Sequence, residues 1–122
     1  MKFIGISRNF STLSDKQYET IGSFWDEMAE KYGLENLIGL GYKWENNTID
    51  YAIGLKSFKE IPGSNFTTEL PDEDWNIEKG ETEKLDQLYS KICTGHHSLI
   101  KYELETFNED GTCVVKYYKN EK

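Results

Sequence analysis

Few side chains in this sequence have the types and spacing that chemistry demands. His96 and His97 are adjacent in the polar stretch CTGHHS, where neighbouring side chains point apart. No third ligand lies near them in sequence, so neither a metal nor haem is expected. Cys93 and Cys113 lack CxxC spacing and read as structural thiols rather than a disulfide framework or zinc site. Cys93 also falls at the end of an expected helix, where the dipole disfavours a thiolate. No P-loop, dinucleotide fingerprint, nucleophile elbow or HExxH segment occurs, and no catalytic residue or cofactor is assigned. What remains is aromatic. Three tryptophans and eight tyrosines stand among 22 acidic residues, and with only 37% hydrophobic residues the aromatic rings must supply much of the core or line a cavity.

The elements that must position these rings follow from the hydrophobic pattern. Residues 2 to 10 read as a strand. Ser14 is the expected cap of a helix whose stripe is Tyr18, Ile21, Gly22, Trp25, Met28, Ala29 and Tyr32, ended by Gly33. Ile38, Leu40, Tyr42 and Trp44 alternate with small or polar residues, break at ENN, and lead into Ile49, Tyr51, Ile53 and Leu55, the pattern of a hairpin. After Pro62 and Gly63 the order returns. An extended stretch runs from Phe66 to about Lys79, interrupted at Pro71, before a helix carrying Leu85, Leu88, Tyr89 and Ile92 and closed by Gly95. Two alternating runs, 98 to 107 and 112 to 119, flank the turn NEDG.

The expectation is therefore one α+β domain over 1–122, a tandem strand-helix-strand-strand repeat with halves at about 1–61 and 62–122. Two antiparallel sheets and two helices would leave a cleft between pseudo-twofold halves, and seams of this kind are natural ligand sites. An offset of 64 residues carries Tyr51 onto Val115 and Trp25 onto Tyr89. The small residues Ala52 and Gly54 mark a face that something approaches closely.

Charge narrows the partners. The net charge is −8, only Arg8 represents arginine, and nucleic acid is disfavoured as a partner. The acidic run 69 to 86 reads as a solvated face, or as a surface for a basic protein. The first residues form no signal-type apolar region, and no stretch approaches the ~20 apolar residues of a membrane span. A cytoplasmic protein, monomer or homodimer, is expected.

Four segments carry a resemblance to the GyrI-like small-molecule-binding domain, the effector-binding module of multidrug-responsive regulators. They are SFWDEM (23 to 28), IGLGYKWENNTIDYAIG (38 to 54), TTELPDEDWNIEKGETEKLDQLYSKI (67 to 92) and SLIKYELETF (98 to 107) with the final strand. The resemblance implies a stand-alone domain that sequesters or senses a small lipophilic molecule in an aromatic cleft. Trp25, Tyr42, Trp44, Tyr51, Trp75, Ile100 and Tyr102 are the expected contacts. Alternatives drawn from relatives are an acidic inhibitor of a DNA enzyme such as gyrase, or a hydrolase of reactive electrophiles. In many members an acid lies two residues before a tyrosine that Tyr102 resembles, and here that position is Ile100. Alternation assigns Ile100, Tyr102 and Leu104 to one face and Lys101, Glu103 and Glu105 to the other, so Glu103 could replace the acid only with a register shift or bulge; a neutral apolar ligand, or an anchor from Asp50 or Glu69, is the alternative.

Overall fold

A computed structural model describes residues 1–84, 87 and 100–119. The expected second helix, Gly95, Cys93 and the two histidines lie outside the described residues. The elements are β1 (Lys2–Ser11), α1 (Gln17–Tyr32), β2 (Leu37–Glu45), β3 (Thr48–Leu55), β4 (Phe66–Glu69), β5 (Asn76–Glu81), β6 (Ile100–Phe107) and β7 (Thr112–Lys119). All seven strands join one antiparallel sheet in the order β4-β1-β3-β2-β6-β7-β5. The fold is α+β as expected. The two sheets anticipated from the sequence are instead one, because β2 and β6 pair directly through Gly39 with Glu105, Leu40 with Leu104 and Gly41 with Glu103.

Local chemistry sets the turns. Asn46 and Asn47 both take positive φ (35° and 71°), which the tight β2–β3 hairpin requires and asparagine tolerates. In the β6–β7 turn Gly111 takes φ 91°, and the Asp110 carboxylate accepts from the backbone N–H and hydroxyl of Thr112. Gly33 ends α1 at φ 87°, its N–H donating to the Ala29 carbonyl at 2.8 Å.

The start of α1 differs from expectation. Ser14 sits at φ 54° inside a short 3-10 turn, a conformation that cannot serve as an N-cap, and the helix begins at Gln17 after Lys16 without a side-chain cap. Its buried residues are Phe24, Trp25 and Met28; Phe24, rather than the exposed Tyr18, completes the stripe.

The stretch from Phe66 to Lys79 is not one extended segment. β4 pairs with β1 at one edge of the sheet, and β5 pairs with β7 at the other. Seven residue steps link Glu69 to Asn76, a reach of about 25 Å, whereas six strand spacings in a flat sheet come to about 29 Å. The sheet must therefore curl. Leu70 and Trp75, at the two ends of the link, pack with Phe3, Ile38, Leu40, Ala52 and Leu104, so the curl is toward that face. The opposite face packs against α1 through Tyr51, Ile53, Phe107 and Val115.

Gly54 explains the small residues on β3. A Cβ placed there would overlap the carbonyl oxygen of Ile4 and lie 3.2 Å from its carbon, so the backbone of β1 occupies the space a side chain would need.

Candidate functional site

The seven residues expected to line one cleft are divided between the two faces of the sheet. Pairing with Gly41 sets Tyr51 on the face opposite Tyr42 and Tyr102, and two bulges move two further residues. In β2 the register slips between Gly41 and Lys43, so Tyr42 and Trp44, expected on one face, point to opposite ones. In β6 it slips between Ile100 and Tyr102, so Ile100 leaves the face of Tyr102 and Leu104 and joins the buried cluster that contains Tyr51. Trp25, Trp44, Tyr51 and Ile100 consequently lie on the helix side, and Tyr42, Trp75 and Tyr102 on the linker side.

On the linker side the rings are occupied with one another. The Tyr42 hydroxyl lies 2.6 Å from Ser7 Oγ, and its ring stacks on Phe66 at 4.3 Å. Trp75 Nε1–H donates to the Pro71 carbonyl at 2.8 Å, and its ring meets Tyr118 and Tyr102 at 5.6 and 6.4 Å. These contacts close the linker over the sheet.

The helix side holds the polar chemistry. Trp25 Nε1–H, from α1, donates to the Tyr51 hydroxyl at 2.8 Å, and that hydroxyl donates to the Glu105 carboxylate on β6. To join β3 to β6 the phenol must cross β2, and Gly39 permits it: a Cβ there would lie 2.8 Å from Tyr51 Cζ and 2.7 Å from Trp25 Cζ2. Burial first, and then the Glu105 charge, hold the Tyr51 hydroxyl well above the ordinary phenol range, so it remains a donor.

Glu103 precedes Glu105 by two residues and shares its face, since strand side chains alternate. Its side chain is buried, and its Oε2 has no hydrogen-bond partner. Burial chiefly, and then the neighbouring Glu105, raise its pKa from 4.5 to about 8, so the carboxyl is mostly protonated at neutral pH. The cross-strand neighbour on β2 is Gly41, and a Cβ there would meet the Trp44 ring at 3.3 Å. Trp44 thus lies over Gly41 with its outer part exposed.

The sequence places Glu103 on the face away from Tyr102, where it could serve as the acid only with a register shift or bulge, and β6 carries one between Ile100 and Tyr102. The alternation was right, but the assumption that Tyr51 shares the face of Tyr102 was not. Gly39 and Gly41, spaced to lie beside two acids at the same spacing, were the available signal. Neither expected anchor fits. Asp50 accepts from Asn9 Nδ2 at 2.7 Å near the hairpin end, and Glu69 is exposed on the edge strand beside the Met1 ammonium. A surface hollow of about 440 Å³ at the far end of α1 is lined by Tyr32, Asn36, Leu55, Lys56 and Ser57. It contains no carboxylate. No group of three or more metal-ligating side chains occurs among the described residues. No helix among them is long and apolar enough to cross a membrane.

No family model, curated protein or solved structure matches this chain.

Proposed function

We propose that the chain is a small-molecule-binding domain of the GyrI-like type, which takes a lipophilic cation on the helix side of its sheet. The observation that carries this reading is Glu103, a buried carboxyl with an unpartnered oxygen beside Tyr51, Trp25 and the half-covered Trp44. A buried polar atom without a partner is costly in a folded chain, and a ligand cation would satisfy it. The aromatic rings supply apolar area and cation-π attraction.

The strand register supports the two-unit plan. Adding 64 to Gly41 and Tyr51, a pair in the first hairpin, gives Glu105 and Val115, a pair in the second. Leu40 with Ala52 likewise becomes Leu104 with Lys116. The β2·β6 seam is then twofold about Leu40 and Leu104, with Gly39 and Gly41 of one half set against Glu105 and Glu103 of the other. One half contributes charge and the other contributes room.

Titration with a lipophilic cationic dye is expected to quench tryptophan fluorescence saturably in the micromolar range. Glu103→Gln should weaken binding about tenfold or more, the scale of a lost charge pair, whereas the exposed Glu73→Gln should leave it unchanged. Absence of quenching across a varied panel of lipophilic cations would count against the reading.

The same acids favour a second reading. Glu103, protonated, is placed to act as an acid, and Glu105 supplies a second carboxyl on the same face, the kind of pair that hydrolysis of a strained electrophilic ring requires. Mass analysis after incubation with an epoxide would detect addition of water, and Glu105→Gln should abolish it. Release of the epoxide unchanged leaves the binding role.

A further inference from the structure

The acid pair implies more than attraction. Glu103 Oε2 is the one carboxylate oxygen among the described residues that is both buried and without a partner. Few groups adjoin it among the described residues. On its own strand, Glu105 projects from the same face; on β2, Gly41 brings no charge; on β7, the directly paired residue is Tyr117; from β3, Tyr51 reaches across; and α1 contributes the neutral indole of Trp25. Among the described residues no lysine or arginine bonds to it.

We propose that a ligand cation and a proton compete for Glu103, so that entry of the cation expels one proton from this carboxyl to solvent. The inference rests on the binding reading above and adds its regulation. In the empty site the Glu103 O–H bond is intact, because an anion there would lack both water and a donor. On binding, the O–H bond breaks, the electron pair stays on the carboxylate, the proton passes to buffer, and the cation takes its place. The net charge of the buried site is the same before and after. The raised pKa of Glu103, about 8, agrees with a proton held at neutral pH in the absence of ligand. Trp44, lying over Gly41 with its outer part exposed, sits at the solvent side of this exchange.

Affinity then reports pH. Cation binding strengthens about tenfold per pH unit from pH 6 to 7.5 and levels off above about 8, where the proton has already left. A shape-matched neutral molecule shows no such trend.

The experiment is calorimetric titration of the full chain with an aryl trimethylammonium and with its uncharged tert-butyl isostere, in two buffers of different ionisation enthalpy at pH 7. Close to one proton released per cation bound, none for the isostere, and retention of that release in Glu73→Gln, is the expected result. Glu103→Gln should bind the cation without releasing a proton. Cation binding with pH-independent affinity and no proton release overturns the exchange while leaving the binding reading in place. Failure of both probes to bind at any pH from 6 to 9 overturns both. Release of the same proton count by the isostere would assign the proton to a conformational step instead and overturn the competition.

Discussion

Glu103→Gln is expected to make the protein more stable at alkaline pH and to flatten its stability between pH 5 and 8. The sign follows from where the proton is held. The folded-state pKa of Glu103 is raised from 4.5 to about 8, so between those values the folded chain binds the proton more tightly than the unfolded chain does. Stability from this group is fully present below pH 4.5 and is lost as pH rises through about 8. At 1.36 kcal/mol per unit the loss has a ceiling of about 5 kcal/mol, reached above pH 8. Glutamine matches the neutral acid in shape and cannot ionise, so the variant escapes the loss. Urea denaturation at pH 5, 7 and 9 measures it. Equal midpoint shifts at all three values would mean that Glu103 is not the group responsible. The slope belongs to a coupled pair, and Glu105→Gln should lower the pH at which the loss ends and make the loss smaller, because the Glu105 charge is the second cause of the shift.

Gly54→Ala is expected to cost at least about 3 kcal/mol or to prevent folding, although it adds a single methyl group. The obstacle is backbone. The new Cβ would overlap the Ile4 carbonyl oxygen and crowd Gly5 Cα at 3.4 Å, and β1 cannot retreat because it is paired from Ile6 onward with β3 and through Lys2–Gly5 with β4. Gly22→Ala provides the opposite sign. It lies within α1 with nothing inside 4 Å of the added atom, so it should stabilise by about 0.5 to 1 kcal/mol through helix propensity. Thermal denaturation of the two variants separates them; equal shifts would refute the close approach of β1 to Gly54.

Much of the fold was legible because its signals are local. The period of two in β1, β2, β3, β6 and β7, the three-and-four spacing around Trp25 and Met28, and the turn residues Gly33, Asn46, Asn47 and Gly111 each report on their own neighbourhood. A close approach at Gly54 was readable for the same reason, but not that the approaching element is β1. Three features were not. The extra residues at Tyr42 and Lys101 reverse the alternation that sequence reasoning extrapolates, and a bulge leaves little compositional trace. The division of 66–79 between opposite sheet edges is a property of topology; the interruption at Pro71 marks a break in the run but not where its two parts go. The acid pair was hidden by its own residue type, since glutamates in a strand ordinarily mark a solvent face. Their burial depends on Gly39 and Gly41 more than sixty residues away.

That separation also orders the events of folding. The β2–β3 and β6–β7 hairpins close loops of a few residues, whereas joining β2 to β6 closes one that contains the whole of β3, β4 and β5, with a correspondingly larger loss of chain entropy. Contacts of that kind form after local ones. The two glutamates are thus stripped of water at the step that unites the hairpins, and the nascent chain carries them as ordinary solvated acids until then.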